Sequence, residues 1–274
     1  MTVLHNPVQL CKLLNQSNCR LCGESTCMAF AAAVVRGDKR LEECPYLDWE
    51  TIQNLGGEAK EKKEANSSQE EMEKTLQDLQ QKISSIDFNA AATRTGGIFD
   101  GKKITLKVLG EDFHVDTAGQ VSSRIHTNLW VTIPVLAYIL YASGAFPKGE
   151  WITFRDLQQG MSWYGLFEQR CLSPLKNIAE NYTELFVDFL EIFQGKRLEN
   201  ELEADISYML YPLPKVPILF CYWEPEEEFE SKFNIYFDKT IESNLNMESI
   251  FSITTGLGTM FDALVQTHVP KPGK

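Results

Sequence analysis

Four cysteines near the start of the chain, Cys19, Cys22, Cys27 and Cys44, stand in the pattern C-x2-C-x4-C-x16-C, with Pro45 directly after the last. No other feature constrains the local fold as strongly. Four thiolates on so short a segment can hold one metal centre, and iron–sulfur clusters are commonly held by four Cys. The tight spacing of the first three places them on one loop, while the fourth returns from beyond an intervening helix. A proline after the last cysteine stops the chain from adding another helical turn.

A structural zinc site is the alternative. Zinc knuckles pair C-x2-4-C with a second close pair of Cys or His. Here the second half is Cys27 and Cys44, well separated, and His5 is the one histidine nearby. Thiolate ligands alone do not distinguish iron from zinc, so spacing decides, and it favours a cluster. A disulfide set ranks below both.

The run Asn18-Cys19-Arg20-Leu21-Cys22-Gly23-Glu24-Ser25-Thr26-Cys27-Met28-Ala29-Phe30-Ala31 resembles the small 4Fe–4S domain of the large subunit of corrinoid/iron–sulfur proteins. Similar modules occur in corrinoid-activating proteins and in the cluster-bearing subunit of the Rnf membrane complex. The opening Asn6-Pro7-Val8-Gln9-Leu10-Cys11-Lys12-Leu13-Leu14 is similar to the short helix that precedes the first cysteine there. The resemblance implies that Cys19, Cys22, Cys27 and Cys44 bind a 4Fe–4S cluster.

At 274 residues the chain accommodates one sizeable domain plus a small appendage, and 43% hydrophobic residues suffice for a core. A net charge of −12 argues against nucleic acid, whose phosphates need a basic face. It leaves room for a protein partner with a basic patch. Met1 to Asn15 has no signal-peptide pattern, and the longest apolar run, Leu129 to Ala142, is too short for a membrane span and contains Pro134. An exposed cluster survives best where oxygen is scarce, so the cytoplasm of an anaerobe is the expected setting.

The pattern divides the chain into a cluster module over 1–50, a charged helical linker over 51–85 and an α+β domain over 86–274. In the module, Asn6 and Pro7 suit a helix start. Glu24 to Val35 reads as an Ala-rich helix ended by Gly37, with Cys27 in its first turn, where outward N–H groups would stabilise an anionic cluster. In the linker, Met72, Leu76, Leu79 and Ile83 form a narrow apolar stripe. In the large domain, Lys103–Leu109 and Asp112–Asp116 suggest a hairpin around Gly110-Glu111, with Gln120–Arg124 as a third strand. Helices are expected over 130–142, kinked at Pro134, over 164–180 and over 183–193. Ile206–Leu210 and Ile218–Trp223 read as strands about a proline-rich corner, and a last helix over 247–266 is interrupted by Gly256 and Gly258. No βαβ rhythm is present, so the class is α+β, a small helical module plus a larger mixed domain.

Three blocks, Gly149–Leu157, Tyr211–Pro217 and Trp223–Phe229 leading to Phe237-Asp238, resemble the family catalogued as domain of unknown function 3786. Its members often follow a cluster module of this kind. The resemblance implies a fold and names no reaction.

No P-loop, dinucleotide fingerprint, G-x-S-x-G elbow or metal-spaced His pair is present. His114 and His126 read as structural histidines, and Arg155-Asp156 as a structural ion pair. The Glu224–Glu230 run reads as a solvated turn that could also meet a basic partner. Trp130, Trp151, Trp163 and Trp223 read as core packing before an apolar pocket wall. Cys11, Cys171 and Cys221 read as buried thiols rather than ligands.

The expected function is one-electron transfer through a 4Fe–4S cluster, with Arg20, Arg36, Lys39 and Arg40 compensating its charge or docking an acidic ferredoxin. The partner would be a ferredoxin-like donor or a corrinoid-type acceptor, with no catalytic residues required. The alternatives are a redox enzyme with an unidentified cofactor or substrate site in the α+β domain, and a non-redox protein with structural zinc.

Overall fold

In the computed structural model, residues 6–36, 38–39, 41–47, 70–125, 127–227 and 229–268 are described. Gly37, Arg40, His126 and the stretch 48–69, with most of the expected linker, lie outside them. The chain divides into two compact units, Met1–Glu71 and Met72–Lys274.

The first unit is helical. Helix α1 (Pro7–Leu13) starts as its residues dictate: the Asn6 side chain accepts from the Val8 N–H at 2.9 Å, and Pro7 occupies the first turn. Helix α2 (Cys27–Arg36) begins three residues later than the Ala-rich pattern suggests. Thr26 ends the preceding loop and caps it, its hydroxyl accepting from the Ala29 N–H at 3.1 Å. Leu10, Leu14, Phe30, Ala31, Leu41 and Leu47 bury together, and Cys44 is part of that small core.

The second unit is α+β, with two sheets whose strand pairs are all antiparallel. Helix α3 covers 70–83. Its stripe packs: Leu79 and Ile83 belong to the main core, Leu76 lies against it, and Gln80 donates to the Gly119 carbonyl at 3.2 Å. Helix α4 (Phe88–Thr95) follows, capped by Asp87. The first sheet is a meander of β1 (Ile98–Phe99), β2 (Lys103–Val108), β3 (Glu111–Asp116) and β4 (Val121–Ser123). Val108 pairs with Glu111, so the hairpin turns at Leu109-Gly110, one residue before the expected position. Both turn residues have positive φ, 49° and 83°, the hand that matches strand twist in a two-residue hairpin.

Helix α5 (Leu129–Tyr141) carries Pro134, which cannot donate to the Trp130 carbonyl. Ser252 of the last helix, α10 (Met247–His268), supplies a donor instead, its hydroxyl 3.3 Å from that oxygen. One turn further along α10, Gly256 lies against the Trp130 indole, where any Cβ would collide with the ring. The glycines therefore do not interrupt α10. Gly256 instead lets two helices approach closely.

The second sheet runs in the order β5 (Trp151–Thr153), β9 (Lys232–Asp238), β8 (Val216–Trp223), β7 (Ile206–Leu213), β6 (Lys196–Arg197). The proline-rich corner is itself a hairpin turn at Pro214-Lys215. Pro212 falls where the β7–β8 register shifts, an irregularity that tolerates a missing N–H. The expected helix over 164–180 starts earlier, as α6 (Gly160–Phe167), and continues through a π-helical turn at Glu168–Leu172 into α7 (Ser173–Asn181). After it come α8 (Thr183–Ile192) and, beyond the sheet, the short α9 (Ile241–Asn244). One face of the second sheet packs Tyr208, Phe220, Ile235 and Phe237 into the main core; the other face buries Leu219 and Cys221 in a separate small cluster. Among the described residues no helix is long and apolar enough to cross a membrane.

Candidate metal centre

Between α1 and α2 the chain runs without regular structure, and Gln16, Asn18 and Arg20 adopt positive φ of 57°, 48° and 64°. Such backbone is uncommon outside glycine and keeps the loop turning sharply. Cys19 and Cys22 lie on this loop, Cys27 opens α2, and Cys44 follows the short 3-10 turn Leu41–Glu43. All four cysteines line one pocket, with Phe30 and Tyr46 on its wall. None of the seven cysteines of the chain is in a disulfide. No group of three or more His, Cys, Asp or Glu side chains among the described residues is placed to hold a metal ion.

Two contacts hold the loop. The Asn18 side chain accepts from the Cys27 N–H at 2.8 Å, tying the first cysteine's neighbour to the start of α2. The Lys39 ammonium donates to the Cys22 carbonyl at 3.2 Å and to the Glu43 carboxylate at 2.8 Å, so it links the second cysteine to the residue before the fourth. The hydrogen bond it donates to Glu43 holds this ammonium above the usual lysine range, and the charges of Glu43 and Glu24 act in the same direction. These contacts correct the expected electrostatics. The Cys27 and Ala29 N–H groups at the start of α2 are taken by Asn18 and Thr26 rather than pointing outward. Of the four basic residues, Arg40 lies outside the described ones, Arg36 pairs with Asp38 at 2.8 Å, Lys39 pairs with Glu43, and Arg20 is on the exposed loop. Neither tether to the cysteine loop has a sequence signature, because Asn18 reaches Cys27 and Lys39 reaches Cys22 at separations that no regular period sets.

Other candidates are scattered over the second unit. The His114 ring nitrogen meets the Thr105 hydroxyl across β2 and β3 at 2.9 Å, a structural contact. Arg155 and Asp156 do not pair. The guanidinium lies 3.8 Å from the Tyr164 ring centroid, and the carboxylate accepts from the Thr153 hydroxyl and N–H, which hold it below the usual aspartate range. Trp130 and Trp163 pack against the main core and Trp151 and Trp223 against the small cluster, so the four do not form one wall. Cys171 and Cys221 are fully buried, and burial pushes both thiols up, Cys221 to about 11. Cys11 packs against the core of the first unit.

The second unit also holds a polar knot that pattern reading does not reveal. Buried Asp238 accepts from the Lys148 and Gly149 N–H groups and from the Thr240 hydroxyl and N–H. Burial raises its pKa, but these donors together outweigh it and leave the carboxyl below its usual range. Beside it, Asn244 binds the Gly144 N–H and the Ala145 and Lys215 carbonyls, and Lys215 donates to the carbonyls of Arg94 and Gly144. This knot fastens the 143–149 loop to the sheet.

A family model described as "Putative Fe-S cluster" matches residues 14–46, the segment that contains all four cysteines. The same region is 41% identical over 44 residues to the acetyl-CoA decarbonylase/synthase complex subunit gamma of Methanosarcina acetivorans, covering 16% of this chain and 9% of that subunit. The amino-terminal segment thus resembles the iron–sulfur module of corrinoid/iron–sulfur proteins. No solved structure matches the chain. A second family model, domain of unknown function (DUF3786), matches residues 87–260. Since that match covers more than half of the chain, the protein belongs to this family.

Proposed function

We propose that the protein is a one-electron carrier whose cluster is a 4Fe–4S centre held by Cys19, Cys22, Cys27 and Cys44, with an α+β domain that engages a partner protein in the cytoplasm of an anaerobe. The carrying observation is that these four thiols, the ones the spacing singles out, line a single pocket. Each corner of a four-iron cluster takes one thiolate. When bound, such a cluster supplies single-electron redox chemistry. The chain's own contribution is to hold the loop through Asn18 and Lys39 and to leave Arg20 exposed beside it for an acidic donor. The curated relative is a subunit of a complex, which supports a partner protein as acceptor or donor.

Protein purified without oxygen should contain about four irons and matching acid-labile sulfide per chain, and reduced ferredoxin should deliver one electron to it. Stoichiometric zinc without sulfide would overturn the cluster assignment. An iron-loaded protein that ferredoxin cannot reduce would overturn the carrier role.

A further inference from the structure

One face of the second sheet carries a small cluster separate from the main core. On it Leu219 and Cys221 are buried among Trp151, Met209, Trp223 and Tyr236, all half-buried, with Leu198 and Ala204 packed against them. At one end of this face, beyond the Trp223–Lys232 strand pair, lies an open groove of about 750 Å³. Trp223, Tyr236 and Phe229 supply its aromatic surface, and Phe229 is 69% exposed. Leu202 adds a further apolar side chain, 41% exposed, on a turn where Asn200, Leu202 and Glu203 all adopt positive φ. Three non-glycine residues held in that conformation mark a turn whose shape is maintained against local preference. Glu226 and Phe229, also on the groove, pair through two backbone hydrogen bonds, Glu226 N–H to the Phe229 carbonyl at 3.0 Å and Phe229 N–H to the Glu226 carbonyl at 3.2 Å. Leu202 and Phe229 thus both present apolar side chains to water at the groove.

Charge selects the occupant. Glu203, Glu224, Glu226 and Glu230 line the groove against one cation, Lys232. None of the four carboxylates has an ion-pair partner among the described residues. The Lys232 ammonium already sits 4.9 Å from the Trp223 ring centroid, so the chain itself places a cation on this aromatic surface. Planar guanidinium groups stack on such rings and pair with carboxylates more readily than ammonium does. We infer that this groove docks an extended, arginine-bearing segment of a partner protein, with guanidinium groups between the aromatic rings and the glutamates and apolar neighbours against Phe229 and Leu202. The surface is distinct from the cysteine module and does not depend on what that module binds.

The test uses the full chain and a fluorescein-labelled peptide of alternating leucine and arginine, followed by anisotropy. Binding should weaken at least tenfold in the E224Q/E226Q/E230Q variant and in Phe229→Ala, and should weaken with added salt. The E184Q/D188N/E248Q variant removes the same number of charges elsewhere and should bind as the parent does. Absence of binding, or equal loss in both charge variants, would overturn the proposal, the latter because general acidity would then explain the affinity. A dimer of the parent chain that dissociates in the groove variants would also overturn it and assign the groove to a second copy.

Discussion

Lys39 shows how one side chain can matter to a site it does not ligate. Its ammonium bridges the Cys22 carbonyl and Glu43, so it sets the distance between the first cysteine loop and the segment bearing Cys44. Partners of this outer kind typically change metal affinity 10–100-fold when removed. Lys39→Met should therefore lose iron to a chelator roughly tenfold faster than the parent, whereas Arg36→Met, whose partner Asp38 is two residues away, should not. Iron release followed by absorbance checks both. Asp238 is the corresponding residue of the larger unit. Its carboxylate holds four donors, and Asp238→Ala should cost about 3 kcal/mol in a denaturant melt. The pH dependence has a definite sign, because a depressed folded-state pKa means the contribution is present above about pH 4 and fades as pH falls through the lower folded value. The alanine variant should thus lose the part of the parent's acid-limb slope that Asp238 contributes.

Among the elements, the α5–α10 pair depends on a residue that sequence reasoning treats as a breaker. Gly256 is a mid-helix glycine with no local excuse, and its reason is the Trp130 ring on a helix far away in sequence. Gly256→Ala should destabilise by about 1–3 kcal/mol through overpacking, despite the better helix propensity of alanine. Pairing it with Trp130→Leu should recover part of that loss in a double-mutant cycle. The same logic explains which elements were legible in the sequence. The Asn6-Pro7 start, the β2–β3 hairpin and the long apolar α5 announce themselves through local chemistry. The cysteine spacing likewise marks four residues that share a pocket. Strands β1 and β6 are two residues each, too short to show a period. Strand β9 has one, in Phe233, Ile235 and Phe237, but it follows an acidic run whose composition reads as loop. Leu109 at positive φ pulls the hairpin one residue out of its expected register, because leucine gives no hint of that conformation.

For the molecule as a whole, the larger unit's core begins before Ile86. Leu79 and Ile83 are buried in it, each burial contributing about 1.5–3 kcal/mol. A fragment of residues 70–274 should fold without iron and melt cooperatively. One beginning at Ile86 should be less stable by about 3–6 kcal/mol, or fail to fold, by the same measure. Equal melting temperatures for the two would show that α3 adds nothing to the unit. The burial of Cys171 and Cys221 has one more consequence. Sealed in the larger unit with their thiols held protonated, they will ignore an alkylating reagent as long as that unit stays native. Every rapidly modified sulfur must then come from the amino-terminal segment, where Cys11 is the one cysteine outside the proposed ligand set. A mass spectrum after brief labelling would therefore count loading directly, one added label per chain for a filled site and up to five for an empty one, with no colour, spectroscopy or metal assay needed.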